Sequence, residues 1–389
     1  MELSETMKPP FSRLLLFLLF LSATGYTLAE AKIPIPSAPK LAASAYILQD
    51  FNSGRVLVEH HSNERLEPAS LTKIMTVYVA FRELANANLA LTDQVTVSKK
   101  AWQMGGSRMY IEVKRKVSVE DLLKGIIIQS GNDASVALAE HIAGDEATFA
   151  ELMNQQAERL GMTNTHYTNS TGWPSPDHYT TAKDLATLTQ VLIKEFPEHY
   201  AWHSAKEFTY NNITQHNRNK LLWRDSSVDG VKTGHTEAAG YCLVTSAKRN
   251  DMRVISVVMG AQSENARANQ NQTLLNYGFR FFETHRLYQA QQKLTEIRVW
   301  KGETKTLALG LSEDLYVTIP RHHYDDLEAT MEIDKLVIAP LDAGAELGAL
   351  NITLVGEPIA SQALVALNAM PEGGIFRKLY DKVLMYWNE

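Results

Sequence analysis

The sequence predicts an α/β (α+β) domain with a central antiparallel sheet, followed by a small all-β domain and a C-terminal amphipathic helix. Three observations predict this order. Strand-like segments at 43–59 and 228–260 enclose a long stretch with helical periodicity. Short apolar runs separated by turn residues recur across 290–368. The final segment, 371–389, carries its apolar side chains on one helical face.

The first 31 residues have the pattern of a secretory signal peptide. Lys8 and Arg13 precede the apolar run Leu14–Leu21, and Ala29-Glu30-Ala31 offers a small-residue cleavage site. The run is too short to span a bilayer comfortably, which takes about 20 residues, so an uncleaved anchor is the weaker interpretation. We predict a signal peptide over 1–29, with cleavage at 29 or as late as 31, and an exported mature protein.

The catalytic part is predicted to occupy 36–287. A strand hairpin comes first, with Ala43–Gln49 and Arg55–Glu59 joined by a turn-rich segment. Pro68 opens a helix that runs through Leu84. Further helices are predicted over 119–128, from the break at 130–131 through 143, and over 146–160, 182–194 and 265–283. Strands are predicted over 228–233, 240–248 and 252–260.

The all-β part is predicted to occupy 290–369, with strands at 294–299, 306–311, 315–319, 327–333, 335–338, 351–355 and 362–367. Gly373-Gly374 then joins it to the predicted tail helix, 371–389. One face of that helix is apolar, and the other is mostly polar, with Arg377, Lys378, Asp381, Lys382 and Asn388. We favour a helix lying in a membrane interface over one docked on the protein's own core.

Bulk composition excludes several classes of function. The net charge of -6 gives no basic surface for nucleic acid. The only cysteine, Cys242, excludes an intramolecular disulfide and a cysteine-based zinc site. The paired histidines lack a metalloprotease pattern. We therefore expect no metal and no cofactor.

The first chemical motif is Ser70-Leu71-Thr72-Lys73, just inside the helix that Pro68 opens. A spacing of three puts Ser70 and Lys73 on one helical face. A serine needs a base to take its proton, and burial near a helix N-terminus can lower a lysine pKa enough for that task. Free N–H groups at the helix start also suit an oxyanion. A solvated surface pair would explain the motif equally well if it stood alone.

Two further motifs follow in the chain. Ser130-Gly131-Asn132 lies between two apolar helices, where a hydroxyl and an amide can relay a proton and hold a substrate backbone. Lys232-Thr233-Gly234 ends a predicted strand, where a cation and a hydroxyl can bind a carboxylate and the glycine lets a substrate backbone approach. Helix capping and a turn glycine would explain each one separately. The order and setting of the three together match penicillin-recognising serine enzymes.

On these motifs, residues 36–369 and the tail resemble the low-molecular-mass penicillin-binding proteins of types 5 and 6, which are D-alanyl-D-alanine carboxypeptidases. The surrounding tracts 68–76, 129–134, 217–219, 229–236 and 277–284 also fit. The resemblance implies a transpeptidase-like, β-lactamase-like domain followed by an all-β domain. It implies a penicillin-sensitive serine carboxypeptidase that removes the terminal D-alanine from peptidoglycan stems and thereby controls crosslinking and cell shape.

Site roles follow from the resemblance, residue by residue. Ser70 would be the acylated nucleophile, Lys73 its base, and Ser130 the proton relay to the leaving D-alanine. Asn132 would bind the substrate amide. Lys232, Thr233 and Arg218 would receive the terminal carboxylate, beside Gly234. The backbone N–H groups of Ser70 and His235 would form the oxyanion hole. The chain departs from the family at Thr171-Gly172, where a histidine often precedes the glycine, and this concerns deacylation and substrate preference.

Three alternatives stay open. A β-lactamase shares the acylation residues, but class A enzymes use a glutamate for deacylation, and 163–184 contains none. An endopeptidase would use the same site on a larger substrate. An inactive cell-wall scaffold is disfavoured by the complete motif set. The expected partners are D-Ala-D-Ala stems, β-lactams as covalent inhibitors and a membrane surface, with no nucleic acid. The expected location is the periplasm, at the outer face of the inner membrane.

Overall fold

The computed structural model describes residues 33–387, so the predicted signal peptide and Asn388 lie outside the described residues. The strands up to residue 261 are β1 (Ala45–Asp50), β2 (Val56–His60), β3 (Gln94–Thr96), β4 (Lys116–Ser118), β5 (Glu207–Tyr210), β6 (Ile213–His216), β7 (Val228–Thr236), β8 (Gly240–Arg249) and β9 (Met252–Ala261). Five of these form one antiparallel sheet in the order β2-β1-β9-β8-β7. The predicted central antiparallel sheet is confirmed, and β7 is one of its edges.

Helices cover both faces of this sheet. They are α1 (Lys73–Ala85), α2 (Lys99–Gln103), α3 (Val119–Lys124), α4 (Asn132–Ala143), α5 (Glu146–Arg159), α6 (Ala182–Glu195), α7 (Pro197–Tyr200), α8 (Leu221–Arg224) and α9 (Glu264–Phe281). One apolar core joins the sheet to the inserted helices α1 to α6, and a second lies between the sheet and α9. Strands β7 to β9 are therefore buried on both faces, which is why their apolar residues come in runs rather than alternating.

The helical segment 119–143 is interrupted by a wider turn. After α3 the backbone forms one π-helical turn over Gly125–Gln129, and α4 begins at Asn132. Ser130, between them, adopts a left-handed conformation with φ of 69°, which is uncommon for a residue with a side chain. Such π turns occur often at functional sites. This one breaks the helix at the position where the second chemical motif lies.

The following part of the chain is all β. Its strands are β10 (Phe282–Tyr288), β11 (Thr295–Arg298), β12 (Thr306–Gly310), β13 (Leu315–Pro320), β14 (Leu327–Ile333), β15 (Glu346–Leu354) and β16 (Glu357–Ala366). Five form a sheet in the order β11-β12-β16-β15-β14, and β10 pairs with β13. The predicted strand at 335–338 is wrong, because that segment makes only an isolated bridge from Ile338 to Trp300. The predicted boundary at 287–290 falls at the end of β10 and stays a prediction.

The tail helix, α10 (Ile375–Trp387), contacts the all-β part through Asp381 on its polar face. Asp381 is fully buried and accepts a hydrogen bond from the Lys301 backbone N–H at 2.7 Å. Its carboxylate also lies 3.5 Å from the Arg298 guanidinium and 3.2 Å from that of Arg377. The apolar side chains of Ile375, Phe376, Leu379, Tyr380, Val383 and Tyr386 are exposed. Within 33–387, no helix is long and apolar enough to cross a membrane.

Candidate active site

Ser70 lies on a tight turn rather than in a regular helix. Residues Ala69–Thr72 form one 3₁₀ turn after Pro68, and α1 begins only at Lys73. Ala69 has a positive φ of 47°, so the backbone enters this turn from a conformation that side chains disfavour. The predicted spacing of three still brings Ser70 and Lys73 together. Lys73 Nζ lies 3.0 Å from Ser70 Oγ.

Lys73 is fully buried at the start of α1. Its Nζ donates hydrogen bonds to Asn132 Oδ1 and to the Thr171 carbonyl, each at 2.7 Å. Burial, followed by the charge of Arg218, lowers the pKa of Lys73 to about 7, although the nearby carboxylates of Asp133 and Glu146 oppose the shift. About half of the molecules therefore hold a neutral amine beside Ser70 at pH 7.

Asn132 connects the lysine to the loop between α2 and β4. Its Oδ1 accepts from Lys73, and its Nδ2 donates to the Gly105 carbonyl at 2.7 Å. Its backbone N–H bonds to the Ser107 carbonyl. Ser130 is also buried, and its Oγ makes no hydrogen bond to another residue of 33–387. A buried hydroxyl without a partner is costly, so Ser130 is suited to bind a group that arrives from outside the chain.

Sequence analysis did not identify Asp133, the residue that fixes this arrangement. Asp133 is fully buried at the start of α4. Its carboxylate accepts from the backbone N–H groups of Met109, Tyr110 and Ile111 at 2.8 to 3.2 Å. The loop over 105–111 is thereby tied to the Ser130–Asn132 segment. The only sequence signal was an acidic residue in the first turn of an apolar helix, which normally indicates a solvent-exposed N-terminus.

The third motif lies on the edge strand β7. Lys232 is 4% exposed, and its Nζ donates to the Thr233 carbonyl at 3.1 Å. Burial, followed by the charges of Lys73, Arg218 and Arg267, lowers the pKa of Lys232 well below its usual range. A Cβ at Gly234 would lie 2.9 Å from the Pro68 carbonyl. The glycine therefore lets β7 pack against the turn that carries Ser70, a role that the sequence did not indicate. The predicted role of Gly234, which is to let a substrate backbone approach, stays a prediction.

Arg218 is exposed on a loop held by two asparagines. The Asn217 side chain donates to the Ala205 carbonyl at 3.1 Å, and the Asn219 side chain donates to the Gly230 carbonyl at 2.8 Å. A second guanidinium, that of Arg267 on α9, was not singled out in the sequence because arginine inside a polar helix is common. Arg267 is 4% exposed and donates to the Gly234 carbonyl at 3.1 Å, so it adds positive charge behind β7.

The loop 167–179 also lines the site. Gly172 has a φ of 81°, and a Cβ there would lie 1.7 Å from the Ala69 carbonyl oxygen. His178 accepts from the Thr168 backbone N–H through Nδ1 at 3.0 Å. Its Nε2 lies 2.8 Å from Thr72 Oγ1 and carries the remaining proton. Burial lowers the pKa of His178 to about 4, so the neutral ring links this loop to the turn of Ser70.

These elements surround one cavity of about 890 Å³. Seven of the nine predicted site residues line it: Ser70, Ser130, Asn132, Arg218, Thr233, Gly234 and His235. Lys73 and Lys232 lie behind this lining, both buried. His235 is exposed, with its ring 4.0 Å from that of Tyr241. Within 33–387 no group of three or more His, Cys, Asp and Glu side chains could hold a metal ion.

Comparison with known proteins gives two family matches. The family model for D-alanyl-D-alanine carboxypeptidase, peptidase S11, matches residues 32–263, and the model for the C-terminal domain of penicillin-binding protein 5 matches 282–372. The D-alanyl-D-alanine carboxypeptidase DacC of Escherichia coli is 44% identical over 379 residues, which is 95% of this chain and 94% of that protein.

Solved structures agree with these matches. Penicillin-binding protein 5 from Haemophilus influenzae superposes with a TM-score of 0.84 at 41% identity, covering 86% of this chain and 99% of that one. Penicillin-binding protein D2 from Listeria monocytogenes, in its ampicillin-bound form, has a TM-score of 0.58 at 30% identity and covers 62% of this chain and all of that one. With a family model that matches more than half of its length, the chain belongs to the D-alanyl-D-alanine carboxypeptidase family of penicillin-binding proteins.

Proposed function

We propose that this protein is a penicillin-sensitive serine carboxypeptidase that removes the terminal D-alanine from peptidoglycan stems through an acyl-enzyme at Ser70. The observation that carries the proposal is the contact between Ser70 Oγ and the buried Nζ of Lys73, 3.0 Å apart beneath a cavity lined with cationic and hydroxyl groups. A serine acts as a nucleophile when an adjacent base can take its proton. Lys73, with a pKa of about 7, is such a base.

The hydrogen bonds of Lys73 support this assignment of the proton. A neutral amine has two N–H donors and one lone pair. Its two firm acceptors are Asn132 Oδ1 and the Thr171 carbonyl, so both N–H groups are used and the lone pair faces Ser70. Lys73 then takes the Ser70 proton as Oγ attacks the carbonyl between the two D-alanines. The backbone N–H groups of Ser70 and His235 stabilise the oxyanion. Lys73 then gives this proton up, and Ser130 relays it to the leaving D-alanine nitrogen.

The cations near β7 support recognition of a free C-terminal carboxylate. Arg218, Thr233 and Arg267 line the cavity, while Lys232 lies behind it. A carboxylate in this position is stabilised by charge and by the Thr233 hydroxyl. The β7 edge also offers backbone groups with which an extended peptide can pair. Penicillins carry both a carboxylate and a reactive amide, so they acylate Ser70 in the same way and inhibit the enzyme covalently.

Deacylation completes the cycle. Water attacks the acyl-enzyme carbonyl, its proton passes to a base, and Ser70 recovers its hydroxyl. Lys73 is the base that lies against Ser70, and no glutamate occurs in 163–184. This favours slow release of a penicilloyl group, as expected of a carboxypeptidase rather than a β-lactamase.

The proposed setting is the periplasm, where the exported protein trims stems, limits crosslinking and influences cell shape. Its predicted signal peptide supports export. The exposed apolar face of α10 supports peripheral attachment to the outer face of the inner membrane, because six large apolar side chains there are exposed. Their large exposed area on one helix face is unusual for a surface that meets only water.

Intact mass spectrometry tests the proposed reaction. The purified protein is incubated with benzylpenicillin and, separately, with a peptide that ends in D-Ala-D-Ala. We expect a persistent penicilloyl adduct on Ser70 and release of free D-alanine. Rapid penicillin turnover without D-alanine release would indicate a β-lactamase, and cleavage only of crosslinked dimers would indicate an endopeptidase. Neither adduct nor product would mean an inactive scaffold.

A further inference from the structure

One buried carboxylate that acts on Lys73 has no part in the steps proposed above. Glu146 lies in the first turn of α5 and is 8% exposed. Burial lowers the pKa of Lys73, and the charge of Glu146 acts in the opposite direction. A buried carboxylate is costly unless hydrogen bonds and an opposite charge compensate for the lost water. The partners of Glu146 therefore indicate what it does in the folded protein.

Both oxygens of the Glu146 carboxylate have partners. Oε1 accepts from the backbone N–H of Ser170 at 3.1 Å and from the Ser170 hydroxyl at 2.8 Å. Oε2 lies 2.8 Å from the Nζ of Lys100, an exposed residue of α2. Burial opposes ionisation, but the hydrogen bonds from Lys100 and Ser170 outweigh it and lower the pKa of Glu146. Glu146 is thus ionised at neutral pH and does not line the cavity, so it is not a base for the reaction.

Ser170 connects Glu146 to Lys73. Ser170 is fully buried, and its carbonyl accepts from Thr76 Oγ1 of α1 at 2.7 Å. Glu146 on one side and Thr76 on the other therefore hold both backbone groups of this residue. The next carbonyl along the chain, that of Thr171, accepts from Lys73 Nζ at 2.7 Å. The acceptor that orients the lysine amine is thus one residue away from the backbone that Glu146 holds.

We propose that Glu146 is a positioning residue for the proton transfer from Ser70 to Lys73. It acts through the backbone at 170–171. The inference rests on the proposed function, in which Lys73 is the base. With that backbone held, the Thr171 carbonyl takes one N–H of the neutral amine, and the lone pair is left to face Ser70. Without Glu146, the backbone loses a buried acceptor and shifts, so that the amine adopts orientations that do not face Ser70.

Glu146 also acts on Lys73 through its charge. The charged and titratable groups that interact with this amine are Arg218, Asp133 of α4, Glu146 of α5, Lys232 of β7 and His178 of the loop 167–179. Against the effect of burial, the two carboxylates favour the protonated amine. Loss of the Glu146 charge should therefore lower the pKa of Lys73, whereas loss of a purely structural contact would leave it unchanged.

Three variants test the inference. The second-order rate constant for acylation by a fluorescent penicillin is measured from pH 5 to pH 9.5 in the unmodified protein, in Glu146→Gln, in Glu146→Ala and in Asp184→Asn. Asp184 is a matched control, because it is also a buried carboxylate in the first turn of a helix, α6. It accepts from the Asn164 N–H at 3.1 Å and from the Thr165 hydroxyl at 2.7 Å, so it holds the segment just before the loop 167–179. Thermal melting checks that each variant is folded.

In Glu146→Gln the amide oxygen can still accept from Ser170. The plateau of the pH profile should therefore stay within about twofold, while the midpoint moves down by about half a pH unit. Glu146→Ala should lower the midpoint by a similar amount and should also lower the plateau about tenfold, because the Thr171 carbonyl is no longer held in place. Asp184→Asn should change neither the midpoint nor the plateau.

An unchanged plateau in Glu146→Ala, or an equal loss in Asp184→Asn, would refute the positioning role. If Glu146→Ala does not fold, Glu146→Gln decides alone, and a midpoint equal to that of the unmodified protein would overturn the inference. If the unmodified protein forms no penicilloyl adduct at Ser70 and releases no D-alanine from a D-Ala-D-Ala peptide, it is the proposed function that fails.

Discussion

Acylation of Ser70 should follow the titration of Lys73. A lysine with its ordinary pKa of 10.5 is neutral in about 3 molecules in 10⁴ at pH 7, whereas one with a pKa of about 7 is neutral in about half. The buried site therefore supplies about 10³ times more free base at neutral pH. The second-order rate constant for acylation should rise about tenfold per pH unit below pH 7 and level off above it.

Removing the charge of Arg218 tests this prediction. Arg218 is the neighbouring charge that lowers the pKa of Lys73 most, after burial, whereas Asp133 and Glu146 raise it. Arg218→Gln removes one positive charge, so protonated Lys73 becomes less unfavourable and its pKa rises. We expect the midpoint of the pH profile to move up by about half to one pH unit. The plateau should also fall, because the variant loses part of the carboxylate site.

Stopped-flow measurement with a fluorescent penicillin between pH 5 and pH 9.5 separates these two effects. The plateau reports carboxylate binding, and only the midpoint reports the Lys73 titration. Arg224→Gln is the control, since Arg224 bonds to Asn269 outside the cavity and its loss removes the same charge. A wild-type profile that stays flat from pH 5.5 to pH 8.5 would refute the assignment of Lys73 as base. An equal midpoint in wild type and Arg218→Gln would refute the charge argument.

Three further predictions concern the loop, a buried histidine and the tail. Gly172→Ala should abolish acylation and lower the free energy of unfolding by about 3 kcal/mol or more, because its Cβ would overlap the Ala69 carbonyl. Gly161→Ala, at a φ of 70° in open space, should lower the free energy of unfolding in urea by only about 1 kcal/mol. The folded-state pKa of His178, about 4, lies below the unfolded value of 6.5, so only the unfolded state gains a proton between these two values. Stability should therefore fall as pH drops from 6.5 to 4. His178→Gln should reduce that fall in thermal melts. The protein that lacks 371–389 should not sediment with vesicles. The full-length protein should, because α10 has six exposed apolar residues.

Each of these has an outcome that would count against it. Equal losses in the two glycine variants would mean that φ strain, not the overlap, is responsible. A pH dependence of melting that is the same with and without His178 would place the titration elsewhere, for example at His203, whose pKa burial also lowers to about 4. A truncated protein that still sediments with vesicles would rule out α10 as the attachment site.

Local spacing predicted the part of the site that lies close together in sequence. Ser70 and Lys73 are three residues apart, so any helical turn brings them together, and the observed 3₁₀ turn does so as well. The strand β7 was also predictable, because its apolar run and its hairpin partners are contiguous. Long-range contacts were not predictable in this way. The fit of Gly234 against Pro68 depends on how β7 packs on a turn more than 160 residues earlier.

The burial of charged residues could not be predicted from the sequence either. Arg267 and Asp133 look like ordinary helix-surface residues in the sequence, and only the tertiary structure shows that each is enclosed and hydrogen-bonded to backbone groups. The tail gives a further example. Asp381, on its polar face, is buried against the all-β part, while six apolar side chains of the opposite face are exposed. Amphipathic periodicity identifies two faces, but it does not determine which of them the rest of the chain will cover.

The contact between Gly172 and Ala69 restricts how the loop can be exchanged. Residues 167–179 are an attractive segment for transplantation between relatives, since the loop reaches the cavity and carries Trp173. A donor loop must nevertheless place a glycine with positive φ directly over the Ala69 carbonyl, and a histidine that meets Thr72. A loop of different length that misses these two points would displace the turn of Ser70. Libraries that alter specificity should therefore keep Gly172 and His178 constant and vary Trp173 and the residues just after it.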